Sequence, residues 1–139
     1  MKTKTLELRQ RAYWLGYLGL LPILAGGTLI SLRIDTPLVI NGLHHYAALI
    51  LTFVGAIHWG LALYSDNRQA MTLSVVPSLL AWCSLFLLPA WGLPLLVAGF
   101  LGQYVVDTRQ AGLPRWFRRL RLQLTFFICA LLSLSWLMM

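Results

Sequence analysis

Leu43 to Tyr64 reads LHHYAALILTFVGAIHWGLALY, 22 consecutive residues without a Lys, Arg, Asp or Glu. A helix of that length rises ~33 Å at ~1.5 Å per residue, enough to cross the ~30 Å hydrocarbon layer of a bilayer. Apolar residues occur all around it rather than on one stripe, which suits a lipid environment and not a water-facing helix. The stretch therefore predicts a transmembrane helix.

The rest of the 139-residue chain has the same character, with 59 % hydrophobic and 11 % charged residues. A soluble domain carries about a quarter charged residues, so too few remain here to coat a water-facing surface. Further apolar runs predict an all-α bundle of five transmembrane helices at about 12–32, 43–64, 70–88, 95–106 and 122–139, within a single domain over 1–139. The first run is too long for a signal peptide and predicts an uncleaved helix. Arg33 to Gly42 (RIDTPLVING) reads as a loop, and Pro89 to Pro94 (PAWGLP) as a tight hairpin. Leu113, Trp116, Phe117, Leu120 and Leu124 recur at helical spacing opposite Arg115, Arg118 and Arg119, which predicts a short interfacial amphipathic helix.

The net charge of +7 is gathered between the apolar runs rather than on a folded face, which argues against nucleic-acid binding. With five spans, Lys2, Lys4, Arg9, Arg11, Arg68, Arg109, Arg115, Arg118, Arg119 and Arg121 fall on one side and Arg33 alone on the other. The positive-inside tendency then places the amino terminus in the cytoplasm and the protein in a bacterial inner membrane. Cys83 and Cys129 lie in apolar runs without a Cys-x-x-Cys pair, so no zinc or thiol-redox motif is present. The four acidic residues, Glu7, Asp35, Asp66 and Asp107, form no carboxylate pair or metal motif. No catalytic residue, metal site or resident cofactor is expected, and the chain reads as a non-enzyme.

Small residues let helices approach closely in lipid. Ala12/Gly16, Ala56/Gly60 and Ala98/Gly102 are such pairs, and His44, Ala48, Leu51, Gly55, His58 and Ala62 form a second stripe on the second span. That span is accordingly expected at the centre of the bundle. A histidine in the membrane is costly and faces the interior with a partner. Ser78 on the third span, Gln103 and Asp107 on the fourth, and Arg121 at the start of the fifth lie at depths similar to that of His58. These five residues are the candidate polar pocket, with Asp107 and Arg121 as a pair; the alternative is that each makes an isolated structural hydrogen bond. His44 and His58 share a face but stand ~21 Å apart, too far to be the two axial ligands of one haem.

Four stretches, YAALILTFVGAIHWGLAL (Tyr46 to Leu63), SVVPSLLAW (Ser74 to Trp82), Tyr104 with Asp107, and LPRWFRRLRLQLT (Leu113 to Thr125), resemble an uncharacterised family of small bacterial inner-membrane proteins. Its mitochondrial relative is called transmembrane protein 69. The resemblance covers nearly the whole chain and implies a five-span membrane protein, with no activity to carry over. The leading functional expectation is an accessory or assembly factor of a larger membrane complex, acting on a membrane-protein partner or as a homo-oligomer. The alternative is a binding or transport protein for a small solute or a hydrophobic cofactor, quinone or haem, at the pocket around His58.

Overall fold

The computed structural model describes residues 2–65, 68–109 and 113–139, with side chains described from Leu6 onward except that of Ser65. Among them the chain forms α1 (Lys2–Leu18), α2 (Leu21–Ser31), α3 (Pro37–Ser65), α4 (Arg68–Ser84), α5 (Pro89–Arg109) and α6 (Arg115–Met138), and no strand. The centre of the bundle is α3, which packs against α2, α4 and α5, while α6 lies on α5, α2 and α1. The stripe from His44 to Ala62 is buried along its length, as expected of a central helix. Ile23 and Ile30 of α2, Leu51 of α3, Leu93 and Leu96 of α5 and Leu132 of α6 are fully buried between the helices. Large apolar side chains such as Leu38, Phe86 and Leu137 face outward, as a bilayer solvent permits.

Length and composition support four membrane-crossing stretches, Leu6–Ser31, Pro37–Tyr64, Pro89–Arg109 and Arg115–Met138, where the sequence reading gives five. The fifth, α4, has 17 residues and rises ~26 Å. It stops at Ser84 because Leu85, Phe86 and Leu87 turn back onto the carbonyls three residues earlier, and Pro89 then starts a new helix.

The expected boundaries shift at four places. First, the initial span is two helices, broken at Gly19 and Leu20. Pro22 has no N–H to give the Leu18 carbonyl, and at the break the Tyr46 hydroxyl of α3 donates to the Gly19 carbonyl at 2.9 Å. Second, the loop after α2 ends at Thr36, and Asn41-Gly42 lies inside α3. Its compactness comes from Arg33, at φ 63°, whose N–H bonds the Ile30 carbonyl while that of Ile34 bonds Leu29, the Schellman closure of a helix end. Pro37 then occupies a first-turn position, and the Thr36 hydroxyl accepts from the Val39 N–H at 3.4 Å.

Third, the expected PAWGLP hairpin is the first turns of α5, which begins at Pro89 and holds Pro94 inside. Pro94 cannot donate to the Ala90 carbonyl; the Trp136 indole N–H of α6 does so instead, at 2.7 Å. Trp136→Phe keeps an aromatic ring there but removes the N–H that bonds that carbonyl, so it should destabilise the bundle by ~1 kcal/mol, read as a lower melting temperature in detergent. Pro94→Ala restores the helical donor and should make the bundle tolerant of Trp136→Phe.

Fourth, among the described residues no separate interfacial helix stands before the last span. Its amphipathic pattern belongs to the opening turns of α6, which runs unbroken from Arg115. At 24 residues α6 is ~36 Å long, so its basic first turns reach beyond the ~30 Å apolar layer.

Candidate functional site

Three helices converge on Asp107. Gly99, Gln103 and Asp107 lie four residues apart on α5, one above the other on a single face, and all three are buried. A Cβ on Gly99 would stand 2.7 Å from Leu51 Cδ2. The missing side chain thus allows α3 and α5 to close two turns from Asp107, which brings His58 within reach. Arg121 comes from α6, ~9 Å from its first residue, where the helix packs against α5.

Among the described residues, three side chains donate to the Asp107 carboxylate. Its Oδ1 accepts from Gln103 Nε2 at 3.1 Å and from His58 Nε2 at 2.5 Å. Its Oδ2 accepts from Arg121 Nε at 2.5 Å, with Arg121 Nη2 also 2.5 Å away. Exposures are 2 % for His58, 4 % for Gln103, 5 % for Asp107 and 6 % for Arg121. A carboxylate offers about four lone-pair positions; three nitrogens, Gln103 Nε2, His58 Nε2 and Arg121 Nε, hydrogen-bond to it, and Arg121 Nη2 stands beside it as an ion-pair contact. Carboxylate and guanidinium cancel, so the cluster enters the low-dielectric interior with its charges paired, the condition on which buried ions are tolerated.

Of the five candidate residues, the structure brings together His58, Gln103, Asp107 and Arg121. Ser78 is half-buried on α4 and is not among the groups bonded to Asp107. Three atoms at the cluster are buried without a hydrogen-bond partner: His58 Nδ1, Arg121 Nη2 and Thr125 Oγ1, the last one turn after Arg121. His44 at the opposite end of α3 is also buried with Nε2 unpaired, pressed into the space that Gly92 leaves open. His58 gives Nε2 to Asp107 and His44 packs against Gly92, and neither contact adds support to the haem reading. No three His, Cys, Asp or Glu side chains come together among the described residues.

One open feature touches the cluster. A groove of about 190 Å³ runs between α4 and α5 along Pro77, Leu80, Gly99, Gly102 and Gln103. Gln103 thus lies between Asp107 and the outer surface. The sequence marks the cluster through polar residues at helical spacing. It does not mark Tyr46 and Trp136, whose hydrogen bonds brace the helix breaks, because single aromatic residues in apolar runs carry no periodic signal.

Comparison with curated proteins and with solved structures finds no match. A family model, by contrast, covers almost the whole sequence, from residue 8 to residue 137. By that match the chain belongs to the family described as Protein of unknown function (DUF3429).

Proposed function

We propose that this chain is a small multi-pass protein of a bacterial inner membrane, kin to mitochondrial transmembrane protein 69, and a non-enzymatic accessory or assembly factor of a larger membrane complex. One contrast carries this reading. The Asp107 carboxylate, the centre of the buried polar cluster, is bonded by three side chains of its own chain, whereas small-residue positions that suit close helix contact face outward. Ala56 and Gly60 of α3 are exposed, and a Cβ on Gly60 would meet nothing within 4 Å. Phe53, Trp59 and Leu63 flank them on the outer surface. A face of this kind admits a neighbouring transmembrane helix at short range, from a partner protein or a second copy.

Purification in mild detergent tests the proposal. Wild type should carry a stoichiometric membrane partner or a second copy, and Gly60→Leu should lose it without a fall in melting temperature. A wild-type protein that runs as one bare chain contradicts the reading.

A second reading rests on Gln103, which lines the α4–α5 groove while bonded to Asp107. In this reading a lipid-soluble molecule with a polar end, such as a quinone, enters from the bilayer and reaches Gln103. Recovery of such a molecule with wild type, and its loss in Gly102→Leu, would favour this function over the first.

The proposed orientation has the amino terminus in the cytoplasm and α4 as a full crossing, because ten of the eleven basic residues then share one side. Reporter fusions at the two ends should therefore give opposite signals. Matching signals would mean an even number of crossings, with α4 failing to traverse.

A further inference from the structure

The amino-terminal helix presents a groove that the polar cluster does not use. It measures about 570 Å³ and is lined along one face of α1 by Leu6, Arg9, Gln10, Tyr13, Trp14 and Tyr17. These positions span twelve residues, ~16 Å of helix, and their chemistry changes in order. Arg9 and Gln10 lie toward the basic end, the rings of Tyr13, Trp14 and Tyr17 toward the apolar middle. The Arg9 guanidinium stacks over the Tyr13 ring at 5.8 Å, an arrangement that holds its plane and leaves its N–H edge available. Both tyrosine hydroxyls are committed to α6. Tyr13 donates to the Trp116 carbonyl at 3.4 Å and Tyr17 to Gln123 Oε1 at 3.0 Å, so their rings serve as a wall. Trp14 is 71 % exposed and stands where an acyl chain would run.

We infer that this face of α1 binds one anionic phospholipid, with its phosphate at Arg9 and Gln10 and an acyl chain along Trp14 and Tyr17. Charge complementarity fixes the occupant. Arg9 and Arg11 on α1 and Arg115 and Arg119 in the first turns of α6 gather at one end of the bundle, joined by the Tyr13–Trp116 contact. Glu7, the one acidic residue of α1, is exposed and outside the groove lining. A soluble phosphate would match Arg9 but leave the aromatic wall without a partner, and a zwitterionic lipid would match the wall while gaining little from the arginines.

Fluorescence of the full chain in phosphatidylcholine vesicles tests this. Either dibrominated phosphatidylglycerol or dibrominated phosphatidylcholine is added at the same mole fraction, and the Trp14 component is taken as the difference from Trp14→Phe. That component should be quenched preferentially by the brominated anionic lipid, with local enrichment of about fivefold for one arginine near the membrane surface. Arg9→Gln, an exposed position, should abolish the preference, and Arg109→Gln, at the same membrane side on α5, should retain it. Equal quenching by the two lipids in wild type overturns the inference. So does a preference that survives Arg9→Gln, or one that Arg109→Gln removes just as completely, which would indicate general surface charge instead of a site.

Discussion

Replacing Asp107 by asparagine should destabilise the protein by ~3–5 kcal/mol, the usual effect of removing one member of a buried ion pair. The isosteric amide keeps the shape and still bonds Gln103 or His58, but it leaves the Arg121 guanidinium, 6 % exposed, as a charge without a counter-ion. Few folded proteins hold more than ~5–15 kcal/mol of stability in all, so the variant should be nearly absent from membranes. His58→Ala loses a single hydrogen bond to the same carboxylate and should cost ~1–3 kcal/mol. Membrane abundance and detergent melting temperature check the order, with Asp107→Asn well below His58→Ala. The reverse order would mean that Arg121 finds another partner.

The second large effect concerns two glycines on α3. Gly55→Ala places a methyl group 2.8 Å from Pro77 Cβ, 2.9 Å from Pro77 Cγ and 3.1 Å from the Ser74 carbonyl oxygen. A proline ring inside a helix and a backbone oxygen cannot swing aside, so α3 and α4 must separate along their crossing. Overpacking of this kind costs ~1–3 kcal/mol. Gly60→Ala, five residues further on, meets nothing within 4 Å and gains helix propensity of up to ~1 kcal/mol. The two variants should therefore move the melting temperature in opposite directions. A shift of the same sign in both would place the α3–α4 contact elsewhere.

The sequence is most legible where residue chemistry repeats at helical spacing. The stripe from His44 to Ala62 declares the inner face of α3, and Gly99, Gln103 and Asp107 declare that of α5, because costly polar and small residues in lipid must face protein. The meeting of Asp107 with Arg121 follows from their places near the two ends of one short connector. Ser78 fails to join them although its depth is similar, since depth along a helix says nothing of the direction in which a residue points. The breaker residues mislead most. Pro89 and Pro94 fall in the first turns of α5 and Asn41-Gly42 inside α3, where helix packing and side-chain donors make good what the local sequence lacks. Ala56/Gly60 reads as a packed pair and faces outward, because small residues mark a contact whether its partner lies within the chain or beyond it.

In the proposed function the buried charges clamp α3, α5 and α6, and the outward face of α3 makes the association. The fourfold variant His58→Leu, Gln103→Leu, Asp107→Leu and Arg121→Met tests this most directly, since a buried ion pair replaced by apolar residues of similar volume is often neutral or stabilising by ~1–4 kcal/mol and no donor to Asp107 is left stranded. Purified in mild detergent beside wild type, it should match the wild-type melting temperature and retain the same co-purifying partner or second copy. A fourfold variant that is equally stable but has lost that association would show the cluster to be a working site and would contradict the proposed function.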